Sequence, residues 1–114
     1  MNTPQYDCDG VLNAFKKKRY AWIVEYVTPF AQQGVPEAQC MLGTLHQIGL
    51  GVHLNAELAE HWFIQATAKD FPLAWCSLGT LYSSGALGQI DMSRAKYCYR
   101  RAADLGGPTN GDYL

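Results

Sequence analysis

The chain has 114 residues, a formal net charge of −1, and 48% hydrophobic against 17% charged residues. That is room for one folded domain, burying about two-thirds of the surface of its unfolded chain, and too apolar a composition for a disordered one. The near-neutral balance supplies no global field to draw in nucleic acid or an anionic membrane, and no apolar run approaches the ~20 residues that span a bilayer.

The stretch Met1 to Cys8 has neither a basic n-region nor an apolar h-region. It reads as the start of a cytoplasmic chain, unless a leader was removed before it. A first helix is predicted over Val11–Lys17 and a second over about Tyr20–Gln33, with Trp22, Ile23, Tyr26, Val27 and Phe30 facing inward and Pro29 bending it. A third starts at Pro36, where a missing amide donor costs nothing, and repeats Ala38, Leu42, Leu45 and Ile48 at helical spacing. Gly49 suits its left-handed end. After a loop, Asn55 caps a fourth helix with the stripe Leu58, Ala59, Trp62, Phe63 and Ala66. The fifth helix starts at Pro72 with Ala74, Leu78, Leu81 and Tyr82 inward, and ends at Gly85. Asp91 then caps the sixth, which carries Ala95, Cys98, Tyr99, Ala102 and Ala103, and Gly106 and Gly107 close it.

The third and fourth helices reappear, shifted by 36 residues, as the fifth and sixth. Pro36, Ala38, Cys40, Leu42, Gly43, Thr44, Leu45, Gly49, Ala59 and Ala66 fall on Pro72, Ala74, Cys76, Leu78, Gly79, Thr80, Leu81, Gly85, Ala95 and Ala102. About two such identities are expected by chance over this span. Gly43 and Gly79 lie in mid-helix, where glycine costs about 1 kcal/mol relative to alanine. A helix carries that cost twice at one register if another helix crosses closely there. Ala31-Gln32-Gln33-Gly34 lies two periods before Ala103-Asp104-Leu105-Gly106, so the N-terminal third reads as a worn copy of the unit. The expected fold is all-α, a solenoid of three antiparallel helix hairpins. It divides into a degenerate unit at 10–34, full units at 36–71 and 72–106, and a tail at 107–114.

These residues resemble the Sel-one-like repeat family, a branch of the tetratricopeptide superfamily. The resemblance rests on Ala38-Gln39-Cys40-Met41-Leu42-Gly43-Thr44-Leu45-His46, Gly49-Leu50-Gly51-Val52 and Ala59 to Ala66. In the second copy it rests on Ala74 to Tyr82, Gly85, Asp91, Ala95 and Tyr97 to Gly106. It implies a right-handed superhelix serving as an adaptor or scaffold for another protein, here read as a small bacterial cytoplasmic module. In the superfamily the first helix of each pair lines a concave groove. Carried over, the partner-binding residues are Glu37, Cys40, Thr44, Gln47 and Ile48 in one unit and Leu73, Cys76, Thr80, Ser83 and Ser84 in the next, with Trp75 at the edge. An inhibitor or immunity protein that neutralises a toxin or effector is the alternative. A weaker one is the hydrolase activity of a cysteine-rich, β-lactamase-like subgroup. That subgroup bridges each hairpin with a disulfide, whose second cysteine is replaced in this chain by Thr67 and Ala103.

Other chemistry finds little footing. The four cysteines, Cys8, Cys40, Cys76 and Cys98, read as reduced, the repeat-phased pair as small core hydrophobes. His46, His53 and His61 have no partner at metal-ligand spacing, and Cys40 with Cys76 offers only two ligands, so no metal or cofactor is expected. Lys16 to Arg19 reads as a solvated corner, and Gly49-Leu50-Gly51 lacks the strand and lysine of a phosphate loop. No nucleophile with a positioned base is legible, including at Ser83 and Ser84. Pro108 falls one period after Pro72, so a fourth unit begins and stops. That predicts an uncapped end exposing Ala95, Tyr99, Ala102 and Leu105, through which two chains could form a homodimer.

Overall fold

A computed structural model describes residues 5–107, and among them lie six α-helices and no strand. The helices are α1 (Cys8–Lys16), α2 (Tyr20–Gln32), α3 (Pro36–Ile48), α4 (Ala56–Thr67), α5 (Pro72–Ser84) and α6 (Met92–Asp104). Each packs on the next in the chain, and α3 also touches α5 across the stack.

Local sequence sets the ends. Pro36 and Pro72 open α3 and α5 behind the extended residues Val35 and Phe71, the backbone that a following proline favours. Gly49 and Gly85 end them in the left-handed region at φ 82° and 78°. Asn55 and Asp91 then accept the amides of Leu58 and Arg94, each at 3.0 Å, to cap α4 and α6. One further bond repeats with the period. The Asn55 amide donates to the His46 carbonyl and the Asp91 amide to the Tyr82 carbonyl, both at 2.9 Å. Each hairpin loop is therefore closed by the same pair of backbone groups.

The mid-helix glycines are where the hairpins close. A Cβ on Gly43 would stand 2.6 Å from a ring carbon of Phe63, and one on Gly79 would stand 2.8 Å from the ring of Tyr99. Phe63 is fully buried and Tyr99 nearly so. Around these crossings the core forms two clusters. One joins α1, α2 and α3 through Val11, Ile23, Val27, Leu42 and Leu45, with Trp62 packed against it. The other joins α3 to α6 through Cys40, Phe63, Leu78, Leu81 and Tyr99. Helix α3 contributes to both, so it ties the worn unit to the intact ones.

The structure differs from the sequence reading at both ends. Helix α1 begins at Cys8 because Asp7 caps it, accepting the Gly10 amide at 3.0 Å. Trp22 does not face the core. Ile23, Val27 and Ala31 take the buried side of α2, which leaves Trp22 about two-fifths exposed and stacked on Tyr26 with centroids 5.0 Å apart. Tyr26 and Phe30 are half-buried and pack against Tyr6. Pro29 sits on the exposed side of α2, which continues to Gln32. At the other end Ala95, Tyr99 and Ala102 are buried, because they serve the interior of the α5–α6 hairpin; Leu105 is half-buried. The exposed apolar stripe from which a dimer was expected is therefore not formed by these residues. The tail from Pro108 on lies outside the described residues.

Overpacking at a fixed crossing costs about 1–3 kcal/mol, against a gain of about 1 kcal/mol in helix propensity. Gly43→Ala is thus expected to lower the thermal midpoint by roughly 5 °C, read by circular dichroism. Gly79→Ala should lower it less, since the Tyr99 ring has slightly more freedom to move than Phe63.

Candidate functional site

The first helices α1, α3 and α5 share one side of the stack, and near their N-terminal ends they enclose a pocket of about 160 Å³. Pockets for cofactors usually run to about 300–1,000 Å³, so this one suits a single side chain better than a cofactor. Glu37, Cys40 and Thr44 reach it from α3 and Leu73 from α5. Four of the residues predicted for the groove therefore converge there. Tyr6, Leu12, Met41 and Phe71 complete most of the wall and were not foreseen. Leu12 and Leu73 are each about half exposed, which gives the pocket two apolar lips.

The remaining groove residues spread along the same helices without joining the pocket. Gln47 and Ile48 stand at the far end of α3, and Ile48 is exposed. Thr44 and Thr80 bond back to the carbonyls of Cys40 and Cys76 at 3.0 and 3.1 Å. Ser83 and Ser84 likewise donate to the carbonyls of Thr80 and Leu81. These hydroxyls are satisfied by their own helices, which leaves the strip mild and uncharged. Cys76 is buried on α5. Trp75 lies elsewhere. It points about 160° around α5 from Leu73 at 100° per residue, and its ring lines a crevice on the opposite side with Tyr97 and Arg94.

Electrostatically the pocket edge is acidic. Glu37 is its one charged lining residue. Burial first, then Glu37, Asp9 and Asp7, raise the Cys8 thiol above its usual range. Cys40, whose sulfur lies 3.8 Å from the Ser77 hydroxyl, is pushed up to about 11 mainly by burial. Cys98 reaches about 11 for the same reason. All four cysteines are free thiols. Among the described residues no group of three or more His, Cys, Asp or Glu side chains could hold a metal ion.

Residues 36–71 and 73–107 each match the family model of the Sel1 repeat. The chain belongs to the Sel1 repeat family. Its six helices follow the crystal structure of a Sel1 repeat protein from Oxalobacter formigenes, with a TM-score of 0.75 and 32% sequence identity. That match covers 86% of this chain and 40% of the other, so the chain spans less than half the length of that relative. No curated protein matches it. Sel1 repeats generally act as protein–protein interaction modules. Among the described residues no helix is long and apolar enough to cross a membrane.

The raised thiols predict selective labelling. A folded chain at pH 8 should react quickly with a thiol reagent only at exposed Cys8, and at all four cysteines once unfolded. Cys40 and Cys98 also favour the folded state while protonated. That contribution is whole below pH 9.0, the thiol's usual value, and is lost as pH rises toward about 11. Denaturant titrations across this range should show stability falling, and falling less when both are replaced by alanine.

Proposed function

We propose that this Sel1 repeat chain is a non-catalytic adaptor that receives an extended or helical segment of a protein partner along α1, α3 and α5. The observation that carries the reading is the pocket under Leu12 and Leu73, apolar within and acidic at its edge. Such a site accepts one aliphatic or small aromatic side chain from a segment with basic neighbours. Thr44, Thr80, Ser83 and Ser84 then offer a smooth track for the rest of the segment, since their hydroxyls already have partners.

The hydrolase alternative gains no support from Ser83 and Ser84, whose hydroxyls donate to carbonyls of their own helix. An inhibitor that occupies a toxin would use the same surface, and no observation singles that role out.

Affinity capture by the wild-type chain, compared with Leu73→Glu and Thr44→Arg, tests the groove. The true partner should be retained by the wild type and weakened at least about thirtyfold by either variant, the size of a hot-spot loss. A partner set held equally well by both variants would remove the groove from consideration.

A further inference from the structure

The second helices line the other side of the stack, and there α6 departs from α4 in a directed way. At the positions where α4 has Leu58, Glu60, Ile64 and Gln65, α6 has Arg94, Lys96, Arg100 and Arg101. Four cations thus gather on one helix of a chain whose net charge is −1. Arg94 pairs with Asp91 at 3.4 Å and Arg101 with Asp70 at 3.9 Å, both in exposed settings. Lys96 and Arg100 are exposed and make no ion pair among the described residues.

Beside these cations lies the crevice that holds Trp75. It measures about 380 Å³, and Leu78, Tyr82, Tyr97 and Cys98 line it with the indole. Its origin is a size change within the repeat. On α4 the matching place is filled by Trp62, which packs on the cluster containing Leu42. On α6 the residue is Cys98, and Leu78 is left lining an open cleft. Tyr97 is more than half exposed and meets Trp75 edge to face at 5.9 Å. The one carboxylate reaching this region from α4, Glu60, is engaged by the Tyr82 hydroxyl at 2.8 Å. Trp75 also differs from its counterpart Gln39. The Gln39 amide donates to the Ala31 carbonyl at 3.0 Å, whereas the buried indole N–H of Trp75 has no acceptor. Buried donors are rarely left so, and a ligand oxygen would answer it.

We propose that this crevice docks a short acidic peptide segment, with one aromatic or aliphatic anchor seated against Trp75 and Tyr97 and carboxylates facing Lys96, Arg100 and Arg94. The charge is opposite to that of the groove on the first helices, so the two faces select different segments.

Selection of a displayed random-peptide library on the intact chain tests this. The enriched peptides should carry Asp or Glu around one apolar residue and lose affinity as salt rises. They should bind the Lys96→Glu, Arg100→Glu double variant more than tenfold more weakly, and should shift the Trp75 indole N–H resonance, identified by its absence in Trp75→Phe. Cys98→Trp, which restores the α4 residue, should abolish binding; the charge-reversed variant, altered only at exposed positions, decides the matter if that ring is too large to fold in. Enrichment without acidic character, no enrichment, or binding retained by the charge-reversed variant would overturn the proposal. Peptides lost on Leu73→Glu but kept by the charge-reversed variant would belong to the groove and would equally overturn it.

Discussion

The rings of Phe63 and Tyr99 lie directly against Gly43 and Gly79, and these two contacts fix how closely each helix hairpin closes. A side chain at either glycine would push the paired helices apart. Because both crossings sit at the same register, the two hairpins have one shape, and stacking them repeats one interface. The rest follows from that fixed separation. Ala59 and Ala66, with Ala95 and Ala102, are small because they flank the crossing and are fully buried there. The loops are free to differ because a single amide-to-carbonyl bond closes each at the same point.

With the interior so constrained, variation is pushed to the two faces. On the first-helix side, Leu12, Glu37 and Leu73 set the character of a small acidic-edged pocket. On the second-helix side, exchange of Trp62 for Cys98 and of four α4 residues for cations gives α6 a different surface on the same backbone. A repeat fold separates these concerns well. Core positions carry the stack, and face positions carry recognition without disturbing it.

Most of the fold was legible in the sequence because its signals are local. Proline at the helix starts, glycine at the ends and in mid-helix, and Asn55 and Asp91 as caps each act within a few residues and did so twice. The first-helix site was half legible. Glu37, Cys40, Thr44 and Leu73 share a helix phase, but Tyr6, Leu12 and Phe71 meet them only through tertiary packing, which no period encodes. Asp7 as a cap was hidden by Gly10, a poor helix former in the first turn. Trp22 misled because α2 has apolar residues on more than its core face, so its inward side was set by Ile23, Val27 and Ala31 packing on α3. Trp75 was assigned to the groove by its neighbours in sequence, yet one residue turns a helix by about 100°, and it faces the other way.

The account stands most directly on the glycine crossing, and a double-mutant cycle between Gly43→Ala and Phe63→Leu measures it. Shortening the ring should relieve the clash, so the cost of Gly43→Ala should shrink by about 1–2 kcal/mol in the Phe63→Leu background. Strict additivity of the two substitutions would contradict the claim that this ring and this glycine set the hairpin.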